Sequence, residues 1–332
     1  RGIRGGEYQI LALTALLVGF REYPRIIALL QRSGGVDVDL RWMTALAGLR
    51  FVGVSYCFLR AVYALDETRR FTFASYARYF FFAPTFMSGP VLSPVGFAAP
   101  ARERHEGLVR IALGLGRIVA ALLLANVVPL INRNAVAAAV AFWPVPLLWL
   151  GCFGSGLWLY LNFSGFSEVY IGLARALGVR APENFDHPFS ATSLTAFWQR
   201  WHISLGDWLR RFVYDPVSRL LIARSTTGTL AASLVAPIVT MLACGAWHAV
   251  SPNFLAWGLL HGVGLSVEVG WKGVVGARLA GLRAHPAYRA LAWTVTHGFV
   301  AGSWALFLPV TTDVTLAMRW QLVRALFGLG AS

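Results

Sequence analysis

The sequence predicts an all-α polytopic membrane protein, and three observations carry that prediction. Hydrophobic residues make up 57% of the 332 residues while only 13% are charged, about half the share found in soluble domains. Mean hydropathy is +0.60. The stretch from Ser225 to Val267 contains no Asp, Glu, Lys or Arg, longer than the roughly 20 apolar residues a bilayer span requires. Such a composition cannot cover a water-exposed surface. We read one membrane-embedded domain over residues 1–332.

Apolar segments lie near 8–31, 40–64, 72–90, 107–131, 135–177, 227–249, 253–271, 287–309 and 314–329. The chain begins at Arg1 without methionine and without a signal-peptide pattern, so we expect further helices to precede it in the full protein. Within residues 81–98, FFAPTFMSGPVLSPVGFA, the repeated proline and glycine exclude a straight helix. Irregular backbone at membrane depth must be buried in protein or line a wet cavity, which predicts a broken or re-entrant element. Residues 134–167 are free of charge, and Pro144 and Pro146 are expected to kink or split that run.

Residues 178–224 are different: polar, arginine-rich and aromatic. On a helix at roughly 100° per residue, Phe197, Trp201, Leu205, Trp208 and Phe212 form one apolar stripe. Arg200, Asp207, Arg210 and Arg211 take the other side, and His202 falls at the border. Ser193 or Thr195 is expected to cap this helix and Pro216 to end it. The reading is an amphipathic helix at the membrane interface.

Net charge is +14. The arginines gather in short loops beside apolar segments, as at Arg69, Arg70, Arg78, Arg102, Arg104, Arg219 and Arg224. That is the signature of positive-inside topology and anionic headgroups, and it makes nucleic acid an unneeded partner. Some of these loops can also attract a phosphorylated acyl donor. Cys57, Cys152 and Cys244 sit in apolar surroundings without a paired motif and read as packing residues.

The histidines of GAWHAVSPNFLAWGLLHG are the strongest chemical signal. His248 closes a charge-free helix, and an ionisable residue inside the bilayer marks a functional site or a satisfied structural contact. A neutral imidazole can accept a proton. Pro252 is expected to place His261 on a separate helix, where it suits packing or support. No carboxylate lies nearby to complete a metal site, so no metal is expected. Cys244, one turn before His248, reads as packing rather than as a nucleophile. In LNFSGFSEVYIGLARALG, Glu168 is a candidate to orient a histidine or to pair with Arg175.

Four blocks in order, YFFFAPTFMSGP, LYLNFSGFSEVYIGLARALGVRAPENFDHPF, FWQRWHISLGDWLRRFVYDP and GAWHAVSPNFLAWGLLHG, resemble the membrane-bound O-acyltransferases. The likeness is to the bacterial branch of polysaccharide O-acetyltransferases and D-alanyl transfer proteins. The resemblance implies a ring of tilted helices around a central funnel or tunnel. It implies His248 as the catalytic histidine and His202 as its companion, with His261 and Glu168 in support. Asn162, Trp198, Arg200, Trp201, Trp247, Arg210 and Arg211 form the implied substrate-binding set. No cofactor is held tightly; an acyl thioester, acetyl-CoA or a carrier protein's phosphopantetheine arm, serves as co-substrate.

The expected partners are the lipid bilayer, that donor, a glycan acceptor, and a periplasmic or extracellular acetyltransferase or an acyl carrier protein. The expected location is the inner membrane, crossed several times. The sequence departs from the family pattern at Ala249, where Gly often follows the histidine. It departs again at Asn162 and Phe166, and at DPVSRLL after the interfacial helix. D-alanyl transfer to teichoic acid, a proton-coupled transporter and a glycan-presenting scaffold stand as alternatives.

Overall fold

The computed structural model describes residues 54–67, 72–86, 89–101, 105–127, 140–223, 227–276, 280–307 and 315–329. The apolar segment near 8–31, the first part of that near 40–64, and Arg69, Arg70, Arg102, Arg104 and Arg224 lie outside them. The described residues are helical, with two isolated bridges, Pro100 to Val179 and Phe185 to Trp201, in place of any strand. Among the described residues, three helices are long and apolar enough to cross a membrane: Glu106–Ala125, Val145–Ala176 and Gly228–His248. A helix satisfies its own backbone, which is what a lipid environment demands. The chain is an all-α integral membrane protein.

The helices in order are α1 (Val54–Glu67), α2 (Phe73–Phe80), α3 (Ala83–Phe86), α4 (Pro94–Ala98), α5 (Glu106–Ala125), α6 (Val145–Ala176) and α7 (Leu194–Trp198). They continue as α8 (Ile203–Leu209), α9 (Asp215–Ile222), α10 (Gly228–His248), α11 (Pro252–Val275), α12 (Pro286–Phe307) and α13 (Leu316–Leu326). The proline-rich stretch breaks into the short helices α3 and α4, as its composition requires. The expected split at Pro144 and Pro146 takes another form. The break precedes Val145, Pro146 sits in the first turn where its missing N–H costs nothing, and α6 then runs 32 residues without interruption.

The chain gathers into two units. The first holds the described residues up to Ile111 together with Tyr170–Pro182. Here the Tyr79 hydroxyl donates to the Leu92 carbonyl at 2.8 Å, and the buried Arg60 guanidinium lies 4.7 Å over the Tyr79 ring. α5 and α6 touch through glycine: a Cβ on Gly107 would lie 2.6 Å from the Gly172 carbonyl oxygen. Arg175 pairs with Glu106.

The second unit holds Ala112–Val169 and the described residues from Glu183 onward. Gly114 meets Gly165 as closely as Gly107 meets Gly172, its Cβ position 2.6 Å from the Gly165 oxygen. Leu148, Cys152, Ala301, Ala305, Leu322 and Leu326 form one buried cluster of α6, α12 and α13. α10 and α11 make the tightest crossing. A Cβ on Gly245 would lie 2.3 Å from the Phe254 oxygen, and one on Gly258 2.3 Å from the Met241 oxygen. Small residues that let backbones touch are how helices associate where lipid supplies no hydrophobic drive.

The interfacial region is not one helix. Ser193 caps α7 through the Ala196 N–H, but α7 ends at Trp198. His202 then adopts the left-handed conformation (φ 49°, ψ 52°), and α8 starts after it. Arg210–Tyr214 forms a π turn that leads directly into α9. Pro216 therefore opens α9 instead of ending a helix, because the wide turn before it removes the demand for its N–H. The apolar stripe survives the break: Phe197, Trp201, Leu205 and Trp208 are all buried, while Asp207, Arg210 and Arg211 are exposed.

Candidate active site

His248 is the last residue of α10 and is half-buried. Gly245, one turn earlier, lets the α10 backbone press on Phe254, so the imidazole is fixed among aromatic rings. It stacks on Phe254 (5.6 Å between centroids, 17° between planes). It meets Phe307 at 4.9 Å, Trp257 at 5.8 Å and Trp247 at 4.7 Å. Ala249 continues in extended backbone (φ −165°, ψ 146°), a conformation open to any residue. The alanine where the family often has glycine therefore imposes no strain.

His202 is 4% exposed, buried and not at a border, because the left-handed turn folds it under the chain. One residue holds it there. The Asn184 carbonyl oxygen accepts from the Ile203 N–H at 3.0 Å. Its side-chain Oδ1 accepts from the Ser204 hydroxyl at 2.8 Å and from the Ser204 N–H at 3.4 Å. Its Nδ2 donates to the Ser167 hydroxyl at 3.1 Å. A backbone N–H can only donate, so the atom facing Ser204 is the oxygen. That same oxygen lies 3.0 Å from His202 Nδ1, so Nδ1 carries the hydrogen.

Nε2 of His202 then presents its lone pair, and among the described residues it makes no hydrogen bond. Phe163 packs edge-on to the ring at 4.7 Å. Burial, with a smaller contribution from the nearby His248, pushes the His202 pKa down to about 3. His202 is a neutral acceptor throughout the physiological range.

The two histidines meet at Trp247, which lies 6.0 Å from His202 and 4.7 Å from His248. Behind them His261 is satisfied on both nitrogens. Its Nδ1 accepts from the Trp198 indole at 3.3 Å, and its Nε2 donates to Ser303 Oγ at 2.9 Å. Ser303 in turn donates to the Val300 carbonyl at 2.7 Å. Trp198 packs on Trp257 at 5.8 Å, and Trp257 reaches both His261 (4.8 Å) and His248. Pro252 does place His248 and His261 on separate helices, yet Trp257 joins them.

The remaining sequence-predicted residues lie elsewhere. Trp201 is buried among Phe197, Phe185, Tyr160 and Trp304. Arg200 donates to the Ala196 carbonyl one turn back. Arg210 and Arg211 are exposed, Arg211 over the Phe212 ring. Asn162 is half-buried on α6 next to Phe163. Cys244 is buried in α10.

Glu168 takes a partner on the neighbouring helix. It pairs with Arg117 at 3.3 Å, brought alongside by the Gly114–Gly165 contact, while Arg175 takes Glu106. Asn184 is the site residue that sequence reasoning missed. It sits in a polar loop 18 residues before His202, with no periodic pattern to mark it.

The model of MBOAT, the membrane-bound O-acyltransferase family, matches residues 34–303. The probable alginate O-acetylase AlgI of Azotobacter vinelandii is 36% identical over 183 residues, 55% of this chain and 33% of that protein. The teichoic acid D-alanyltransferase of Streptococcus thermophilus is 31% identical over 250 residues, 67% of this chain and 58% of that protein. The peptidoglycan O-acetyltransferase of Helicobacter pylori is 26% identical over 263 residues, 76% of this chain and 47% of that protein. The chain thus spans between a third and three-fifths of the length of these relatives.

Proposed function

The chain belongs to the membrane-bound O-acyltransferase family, and from that premise we propose that it transfers an acyl group, acetyl in the first instance, from a thioester to a hydroxyl of an extracytoplasmic glycan. One observation carries the reading. A half-buried histidine, His248, and a buried neutral histidine with an unbonded Nε2, His202, flank the same tryptophan. A proton acceptor and a hydroxyl-holding acceptor side by side are what O-acylation needs.

The division of labour follows from the tautomer and the burial. With its pKa near 3, His202 is a weak base at neutral pH. Its Nε2 accepts a hydrogen bond from a neighbouring hydroxyl of the acceptor glycan and so holds the sugar while the attacking hydroxyl faces His248. Having no N–H at Nε2, it gives nothing to the developing oxyanion. His248 removes the hydroxyl proton as the oxygen attacks the thioester carbonyl. The tetrahedral intermediate expels the thiolate, and the imidazolium of His248 returns the proton to sulfur. A thioester needs no further activation, and exclusion of water limits its hydrolysis.

The donor, acetyl-CoA or a phosphopantetheine arm, is proposed to arrive from the cytoplasmic face, with the exposed Arg210 and Arg211 as phosphate contacts. The acceptor comes from the opposite face of an inner membrane crossed several times. A partner acetyltransferase outside the membrane, or a carrier protein supplying the donor, completes the system. The similarity to the Streptococcus thermophilus protein makes D-alanyl transfer the second reading.

The test is His248→Ala in proteoliposomes supplied with labelled acetyl thioester and a glycan acceptor. The variant should insert normally and lose transfer. Normal transfer would refute the assignment. Label transferred from a D-alanyl carrier thioester but not from acetyl-CoA would select the second reading.

A further inference from the structure

The second unit carries a groove that the acyl-transfer reading does not use. It has a volume of about 770 Å³, within the range of ligand-binding cavities. It runs between α11 and α12 and is floored by Thr192, Ser193 and Leu194. Leu260, Val263 and Val267 line one wall, and Leu291, Val295 and Phe299 the other. Most of these side chains are exposed, so the groove opens outward along the helix pair.

The cations of the groove gather at one end. There Trp271, Lys272, Arg283, Tyr288 and Arg289 cluster, at the end of α11 and the beginning of α12. Lys272 is committed to Glu268, which also accepts the Thr195 N–H at 2.9 Å. Arg283 and Arg289 are exposed and have no carboxylate partner among the described residues. Two uncompensated cations stand beside a Trp and a Tyr, the side chains that favour the headgroup level. From Leu260 to Trp271 the helix rises about 16 Å, close to half of a hydrocarbon core roughly 30 Å thick. The apolar wall is one leaflet deep, and the cations stand where a phosphate would lie.

We propose that this groove is a binding site for one anionic phospholipid, its acyl chain between α11 and α12 and its phosphate on Arg283 and Arg289. Bulk lipid would fill the apolar wall equally with any headgroup. The paired arginines are what select a net negative one. The proposal stands independently of acyl transfer, since its test reads bound lipid.

The detergent-purified full-length protein is loaded with phosphatidylglycerol or phosphatidylcholine of the same acyl chains, and retained lipid is counted by native mass spectrometry. Wild type should hold one phosphatidylglycerol roughly tenfold more tightly than phosphatidylcholine. The double variant Arg283→Gln/Arg289→Gln should bring the two lipids level. Val295→Trp, which fills the groove without touching the charges, should lower retention of both. All substituted positions are exposed, so the melting temperatures should match wild type and keep the comparison valid. Equal retention of the two lipids by wild type, or undiminished phosphatidylglycerol in the double glutamine variant, would overturn the proposal. So would displacement of the lipid by glycerol phosphate at equal concentration, which would reduce the site to a phosphate contact without a groove.

Discussion

Asn184 is the residue on which the proposed role of His202 depends, and Asn184→Ala is the sharpest perturbation of it. The substitution removes the acceptor of His202 Nδ1–H (3.0 Å) and of the Ser204 hydroxyl (2.8 Å), and the donor to Ser167 (3.1 Å). A buried hydrogen bond contributes about 1 kcal/mol, and a stranded buried donor costs about 1–3 kcal/mol. The Ser204 hydroxyl can rotate to another partner, whereas the ring N–H of His202 cannot. A loss of about 3 kcal/mol of stability follows. The imidazole also loses what fixes its tautomer, so Nε2 no longer faces the acceptor as a lone pair. Misplacement of that order costs about a hundredfold in rate.

Asn184→Asp separates the two effects. A carboxylate accepts the bonds from His202 and Ser204, and the Ser167 hydroxyl can turn to donate to it in place of the lost amide N–H, so stability should be largely kept. It also favours the imidazolium of His202, raising its pKa from about 3 toward neutrality. Nε2 then gains a hydrogen, and the acid limb of the kcat/KM profile moves to higher pH. The assay is kcat/KM against pH in proteoliposomes, with melting curves in parallel. A folded Asn184→Ala variant with wild-type kcat/KM, or an Asn184→Asp variant with an unmoved acid limb, would sink the argument.

Three further outcomes follow from the same geometry. Gly245→Ala places a Cβ 2.3 Å from the Phe254 carbonyl oxygen, a backbone atom that cannot swing away. We expect a loss of about 1–3 kcal/mol, seen as a lower melting temperature, with transfer reduced because His248 rides on that crossing; an unchanged melting temperature would count against the helix contact. Glu168→Gln breaks the partly exposed pair with Arg117, so stability should change by less than about 1 kcal/mol and transfer should stay within twofold; a tenfold loss would place Glu168 in the site. The depressed pKa of His202 makes the unfolded chain the better proton binder between about pH 3 and 6.5. The stability it allows is therefore full above about pH 6.5 and is lost as pH falls toward 3, and His202→Gln should flatten the slope of melting temperature against pH in that window; an unaltered slope would show that His202 is not held neutral.

What was legible in the sequence, and what was not, divides along a physical line. Burial is a property of composition and period, so the charge-free spans, the separation of α10 from α11 at Pro252 and the apolar stripe from Phe197 to Trp208 could all be read directly. The stripe held even though its helix did not, because α7 and α8 pack the same faces inward on either side of the turn. Conformation at a single residue is different. A period of 3.6 places His202 at a border, and only the loop that supplies Asn184 explains why the chain leaves the helix there and buries the ring. That partner lies in a polar segment whose own signal is faint: two histidines, His187 and His202, share the rare positive φ.

Pairing between helices was equally hidden, since Glu168 could reach Arg175 or Arg117 depending on a register no single helix encodes. Yet the register did leave a trace. Gly107 and Gly114 are seven residues apart on α5, and Gly165 and Gly172 are seven apart on α6. In each unit one glycine meets its counterpart with no room for a Cβ between them. Matched glycine spacing on two apolar helices, read as a backbone contact, would have set Glu168 beside Arg117.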